Sequence, residues 1–234
     1  MLAIEDLHLR RGAGADAYEV ELPALRLRAG EVVAVVGDSG CGKSTLLEGV
    51  GLLLTPQRLG GYRLGDCAEV GQWALRGDDR ALAGLRAQRL GFVLQSGGLL
   101  PYLSAFENLV LPRRLAGLAL RDAHLDYAIE ALNLGGLLHK MPAALSIGER
   151  QRVACVRAMA HGPQLLLADE PTSALDPDNA RRLFGLFLEL ARRREMACLV
   201  VSHDRALVRE FGLPELAARL GPRKSVFTLA GAAP

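Results

Sequence analysis

Apolar positions follow two rhythms along this chain, and the changes between them mark out its elements. "LAIEDLHLR" and "EVELPALRLRAG" alternate apolar and polar residues with period two, as strands with one buried face do, and the second ends at Gly30. "EVVAVVG" does not alternate; a short β-branched run of this kind is a strand buried on both faces. It runs into "DSGCGKS" and then into the helical "TLLEGVGLLL". Pro56 and the glycines of "RLGGYRLGD" mark a loop before a short strand. "ALAGLRAQRL" reads as helix and "GFVLQ" as strand, and from Ser96 to about Leu145 the pattern is mostly helical. The second half alternates again: helix "GERQRVACVRAMAH", strand "QLLLADE", helix "PDNARRLFGLFLELARRRE", strand "ACLVVSHD", then a helix and a short strand near "SVFTL". The pattern predicts one α/β unit over residues 1–234. Its parallel core comprises 1–95 and 150–234, and a helical block over 96–149 interrupts it.

Composition narrows the partners. Half of the 234 residues are hydrophobic but only 5% are aromatic, which suits a core of buried aliphatic strands. A formal charge of +2 is too near neutral to advertise nucleic acid or an acidic lipid surface. The pairs and triplets Arg113-Arg114 and Arg192-Arg193-Arg194 read as solvated helix faces. Cys41, Cys67, Cys155 and Cys198 are far apart and form no CxxC pair, so neither zinc nor a disulfide framework is indicated and a reducing compartment is expected. No stretch approaches the roughly 18–20 apolar residues of a membrane span, and "MLAIEDLHLRRG" lacks the apolar run of a signal peptide. A soluble, cytosolic chain is the expectation.

The strongest chemical signal is "GDSGCGKST", formed by Gly37, Asp38, Ser39, Gly40, Cys41, Gly42, Lys43, Ser44 and Thr45. It matches the P-loop pattern G-x-x-x-x-G-K-[ST] between a buried strand and a helix. The three glycines let the backbone turn its N–H groups toward an anion, and the helix N-terminus adds its positive dipole end. Lys43 can reach the β- and γ-phosphates of a nucleotide, and the Ser44 hydroxyl can coordinate Mg²⁺. Cys41 has two readings, a small spacer or a thiol made acidic by the helix start. "QLLLADEPT" places Asp169 and Glu170 at a strand end, where successive side chains point opposite ways. Asp169 suits Mg²⁺ through water, and Glu170 suits polarising an attacking water. His203, after "CLVV", also sits at a strand's C-terminal end, where ligands gather in α/β sheets; His8, His124, His139 and His161 read as ordinary surface or core residues.

Gln95 in "LGFVLQ", then "LSIGERQRV", "LLLADE", "SALD" and "VVSHD", follow the P-loop in the order and spacing of ATP-binding cassette (ABC) ATPases. The chain resembles that family over nearly its whole length. The resemblance implies a P-loop NTPase of ABC type. Such a protein has a RecA-like parallel-sheet core, an N-terminal antiparallel β subdomain and an inserted α-helical subdomain, and it hydrolyses ATP with Mg²⁺. By the same resemblance Gln95 is the Q-loop residue touching Mg²⁺ and the lytic water. Ser173, Ala174, Leu175 and Asp176 form the D-loop crossing a dimer interface, and His203 contacts the γ-phosphate. Ser146, Gly148 and Glu149 belong to the signature helix start, which faces the ATP of the opposite protomer, so two subunits close head to tail around two ATP–Mg²⁺. Ser146 and Glu149 also have the S-x-x-E spacing of a capping box.

Two departures stand out. Where the family often stacks an aromatic on adenine, this chain has Arg11, with Tyr18 a few residues on, and either side chain could stack. Where a signature glycine is expected there is Ile147: either its side chain points away and the site works, or its bulk slows close approach.

"SGGLLPYLSAFENLVLPRRLAG" and "GERQRV" resemble the lipoprotein-release and macrolide-efflux subgroup of these ATPases. That implies a subunit peripheral on the cytoplasmic face of the membrane, driving a separate permease through the Q-loop and helical subdomain. Leu99, Leu100, Pro101, Tyr102 and Phe106 are candidates for the receiving groove or, alternatively, for the core of the helical block. The competing class is an ABC ATPase that signals to a membrane partner or acts on DNA. The interval between Gln95 and Ser146 has no sustained heptads of the kind DNA-associated members carry.

Overall fold

The computed structural model describes residues 1–230. The last four positions of the expected unit lie outside the described residues. β1 (Leu2–Arg11) and β2 (Tyr18–Leu27) pair antiparallel and turn Leu2, Ile4, Leu7 and Leu9 inward with Val20, Leu22, Leu25 and Leu27; the period-two alternation changes phase where the pairing skips Asp6, at φ +53°, and Pro23. β3 (Val32–Val36) is buried at all five positions. It leads through the loop at Gly37–Gly42 into α1 (Lys43–Val50). β4 (Gly61–Leu64) pairs with the outer edge of β1, and α2 (Val70–Arg76) and α3 (Asp79–Arg89) precede β5 (Leu90–Val93).

The helical stretch holds α4 (Ala105–Leu115) and α5 (Ala123–Ala131), then α6 (Ile147–Met159). The division expected between residues 149 and 150 falls inside α6. β6 (Leu165–Asp169), α7 (Pro177–Arg193), β7 (Ala197–Val201), α8 (Arg205–Glu210), β8 (Glu215–Gly221) and β9 (Lys224–Leu229) complete the chain.

Among the described residues, nine strands form one sheet in the order β4-β1-β2-β9-β8-β3-β7-β6-β5. The four strands β3, β7, β6 and β5 are parallel, so their C-terminal ends share one edge. Alternate residues of β3 enter two cores. Val33 and Val35 pack with α1, α3 and the antiparallel strands; Val32, Ala34 and Val36 pack with α4, α5, α6 and α7. The inserted helices therefore share a core with α7.

One strand was not read from the sequence, and one expectation changes. "ELAARLG" is strand β8, although Ala, Leu and Arg favour helix, because it bonds to β3 on one side and β9 on the other. The resulting hairpin splices the antiparallel half of the sheet onto the parallel half. Arg113 is not on a solvated face. It is buried, paired with Asp122 at 2.8 Å, and donates to the carbonyls of Ala119 and Ala160 at 2.6 and 2.7 Å, whereas Arg114 is exposed. Ala119 lies in the irregular turn after α4 and Ala160 caps the C-terminus of α6, and the guanidinium fork supplies a donor to each carbonyl. Arg192 and Arg193 are exposed as expected, the latter stacked 4.0 Å over Tyr127.

Candidate functional site

Four strand ends deliver the expected chemistry to one place. β3 opens into the P-loop, β5 ends just before Gln95, β6 ends at Asp169 and Glu170, and β7 ends just before His203. Ser39, Gly40, Gly42, Lys43, Ser44, Thr45, Gln95, Asp169, Glu170 and His203 line one hollow of about 530 Å³. Gly37, Asp38 and Cys41 do not line it, and they serve the loop from behind. The Lys43 ammonium donates to the carbonyls of Gly37 and Asp38 at 2.8 and 2.9 Å, and the Cys41 amide donates to Asp38 at 3.3 Å. Cys41 is buried beneath the loop. Gly42 has φ +89°, and a Cβ there would lie 2.6 Å from Val20 Cγ2, so no other residue fits.

Opposite the loop, the Glu170 carboxylate is held by both oxygens. Gln95 Nε2 donates to Oε2 at 3.2 Å, and His203 Nδ1 lies 3.0 Å from Oε1. Glu170 itself sits at φ +49°, a conformation costing on the order of 1 kcal/mol for a side-chain-bearing residue. Its backbone is fastened there: its N–H donates to Val201 at 3.1 Å, and its carbonyl accepts from both N–H and Oγ of Ser173 at 3.2 Å. Asp169 is half-buried. Desolvation pushes its carboxyl above the ordinary range, against the lowering effect of the neighbouring Ser44 hydroxyl.

That grouping fits a magnesium ion. Ser44 and Asp169 offer hard oxygens, and Gln95 keeps its amide oxygen free while its nitrogen is engaged. A single first-rank carboxylate is what a cation sharing phosphate oxygens and water needs.

Ser146, Gly148 and Glu149 lie elsewhere. With Ile147, Ala174, Leu175 and Asp176, they border a separate hollow of about 690 Å³. The capping box is complete: Glu149 N–H donates to Ser146 Oγ at 3.2 Å, and Ser146 N–H to Glu149 Oε2 at 2.6 Å. Ile147 is the first residue of α6 and 53% exposed. Gly148 abuts Leu175, whose Cδ2 would lie 3.2 Å from any added Cβ. Asp176 caps α7 through Asn179, and Ser173 braces Glu170.

The adenine candidates are both engaged. Arg11 pairs with Glu48 at 2.9 Å, and the Tyr18 hydroxyl bonds Ser225 at 2.6 Å. Of the apolar run after Gln95, Leu99 and Phe106 pack into the core, while Pro101 and Tyr102 are exposed. Arg157 of α6 was not a candidate in the sequence, yet its guanidinium donates to the carbonyls of Gly97 and Gly98 at 2.9 and 2.7 Å. Asn108 bonds the same segment at Leu100 and Leu103. Nothing local to "VRAM" or "FENL" announces these links, which cross from helix to loop.

Known proteins are similar to this chain in sequence and fold. The family model for ABC transporters matches residues 22–173. The lipoprotein-releasing system ATP-binding protein LolD 1 of Rhodospirillum rubrum is 45% identical over 192 residues, covering 79% of this chain and 80% of its own length. LolD of Paramagnetospirillum magneticum is 40% identical over 223 residues, covering 94% and 92%. Among solved structures, the dimeric post-hydrolysis state of the ATP-binding cassette MJ0796 bound to ADP and Pi aligns with a TM-score of 0.81 at 28% identity, covering 96% of both chains. With its P-loop, strand-end acids and cassette sheet in one frame, the chain belongs to the ABC transporter family as an ATP-binding protein.

Proposed function

We propose that this chain is the ATP-hydrolysing subunit of a lipoprotein-releasing transporter, working as a head-to-tail pair beside a separate permease. The observation that carries the pairing is the division of the expected site between two hollows. The P-loop, Gln95, Asp169, Glu170 and His203 surround one, and the signature and D-loop residues the other. A second copy, turned by a two-fold axis, would bring the capped start of α6 to the first copy's phosphates, and the reverse.

Within each half, amides of the P-loop and the α1 start would hold the phosphates. Lys43 uses two of its three donors on the loop and keeps one for a phosphate oxygen. Ser44, Asp169 and Gln95 would hold Mg²⁺, which neutralises phosphate charge when bound. Glu170 would accept the proton of the attacking water, with Gln95 and His203 keeping its carboxylate aimed. At the N-terminus of α6, Ser146 and Gly148 would present hydroxyl and amide to the partner's γ-phosphate.

Coupling to a permease is supported by the surface beside Gln95. Exposed Pro101 and Tyr102 lie near a hollow of about 230 Å³ bordered by Phe92, Leu100, Leu111 and Leu115. Among the described residues no helix is long and apolar enough to cross a membrane. The likeness to LolD proteins supports lipoprotein as cargo. Reconstituting the chain in liposomes with the permease of its own cell tests this: ATP should release an embedded lipoprotein, and release indifferent to ATP would contradict it.

A further inference from the structure

The P-loop rests on a buried hydrogen-bond strut that comes from the far end of the chain. Ser225 on β9 is fully buried, and its Oγ donates to the Cys41 carbonyl at 2.7 Å. A hydroxyl has one proton, so the 2.6 Å contact between Tyr18 and Ser225 must run from the phenol to the serine oxygen. The strut is therefore directional, from Tyr18 O–H to Ser225 O–H to the Cys41 carbonyl. β2 and β9 hold its two feet in register, with Val20 opposite Ser225. Both residues lie outside the stretch 22–173 matched by the family model.

The peptide plane turns this into a statement about the phosphate hollow. Across a trans peptide the carbonyl of Cys41 and the N–H of Gly42 point in opposite directions. With the carbonyl drawn back onto Ser225, the Gly42 N–H is turned outward, and Gly42 lines the hollow while Cys41 does not. Left alone, a glycine at φ +89° could let that peptide flip, because it tolerates either sign of φ. Val20 and Tyr18 flank Gly42 on the side where a side chain would project, a Cβ there lying 2.6 Å from Val20 Cγ2 and 3.5 Å from Tyr18 Cε1.

We infer that Ser225, oriented by Tyr18, is a positioning residue for nucleotide phosphate: it locks the Cys41–Gly42 peptide so that the Gly42 amide faces the anion. This also gives Tyr18 a role other than base stacking. The inference rests on the phosphate-binding reading of the hollow given above.

The test is equilibrium binding of ADP to the full chain, together with the ¹⁵N–¹H resonance of Gly42, for wild type, Ser225→Ala, Tyr18→Phe and the double variant. Ser225→Ala should weaken ADP about ten-fold and Tyr18→Phe about three-fold. The double variant should be no weaker than Ser225→Ala, because both act through one carbonyl. The Gly42 resonance should shift on ADP addition in wild type and shift much less in Ser225→Ala, a change that general loosening of the sheet would not produce. Binding within two-fold of wild type in both single variants, or an unchanged Gly42 shift, would overturn the inference. Should Ser225→Ala fail to fold, the half-buried Tyr18→Phe decides alone: a three-fold loss supports the strut and wild-type affinity overturns it. A wild-type chain that does not bind ADP would instead overturn the phosphate reading itself.

Discussion

His203 Nδ1 lies 3.0 Å from Glu170 Oε1, joining the ends of β7 and β6 at one carboxylate. The second oxygen is taken by Gln95, so the acid cannot swing away from the hollow. A glutamine in its place keeps the size and loses the basicity. Glu170→Gln is expected to slow ATP turnover about 10²- to 10⁴-fold while leaving ATP binding intact. Phosphate-release assays beside equilibrium binding check this; equal losses in both would contradict the assignment of Glu170 as base.

Ile147 bears on whether the signature helix is impaired. Its side chain is half exposed, and the box between Ser146 and Glu149 closes without it. Ile147→Gly is therefore expected to leave turnover within about two-fold, with a stability loss of up to about 1 kcal/mol from the added backbone freedom. A several-fold gain in turnover would show that the isoleucine obstructs the approach.

The two capping boxes make stability depend on pH. The Ser146 backbone N–H, then the Ser146 hydroxyl and Lys140, hold the Glu149 carboxyl below the ordinary range. The backbone N–H and then the hydroxyl of Ser104 do the same for Glu107. Both pKa values are depressed on folding, so this stabilisation is present above the ordinary glutamate pKa and is lost as pH falls through the folded values. Glu107→Gln and Glu149→Gln should flatten the dependence of the urea midpoint on pH in the acid range. Wild-type slopes in both variants would contradict the role of the boxes.

Arg113 and Arg114 are neighbours with opposite fates. Arg113→Met would strand Asp122 and two backbone carbonyls, and should cost about 3 kcal/mol in urea unfolding. Arg114→Met should stay within about 0.5 kcal/mol. Equal effects would mean that the buried fork contributes nothing.

The contrast between these arginines shows what the sequence could tell. The P-loop, the acids after "LLLA" and the cap before α6 were legible because each works through neighbours a few residues away. Gln95 and His203 were legible through the spacing of a resemblance, and the parallel strands through unbroken aliphatic runs. Arg113 looked like any basic pair, since its partner Ala160 lies 47 residues on. Ser225 bonds Cys41 across 184 residues, and Arg157 reaches Gly97 across 60. β8 was hidden for the same reason: its helix-favouring residues are overruled by strands that pair with it from elsewhere in the chain. Local chemistry is written locally; the props that aim it are set by the fold.

If one working site is built from two chains, mixing two crippled chains should restore it. Lys43→Ala loses the phosphate lysine and keeps a sound signature helix; Ser146→Arg does the reverse. Each alone should be nearly inactive. Co-purified as a mixed pair, they should regain ATP hydrolysis well above the sum of the two, because one composite site then has both intact halves. Pairs verified as mixed that regain nothing would contradict a site shared between copies.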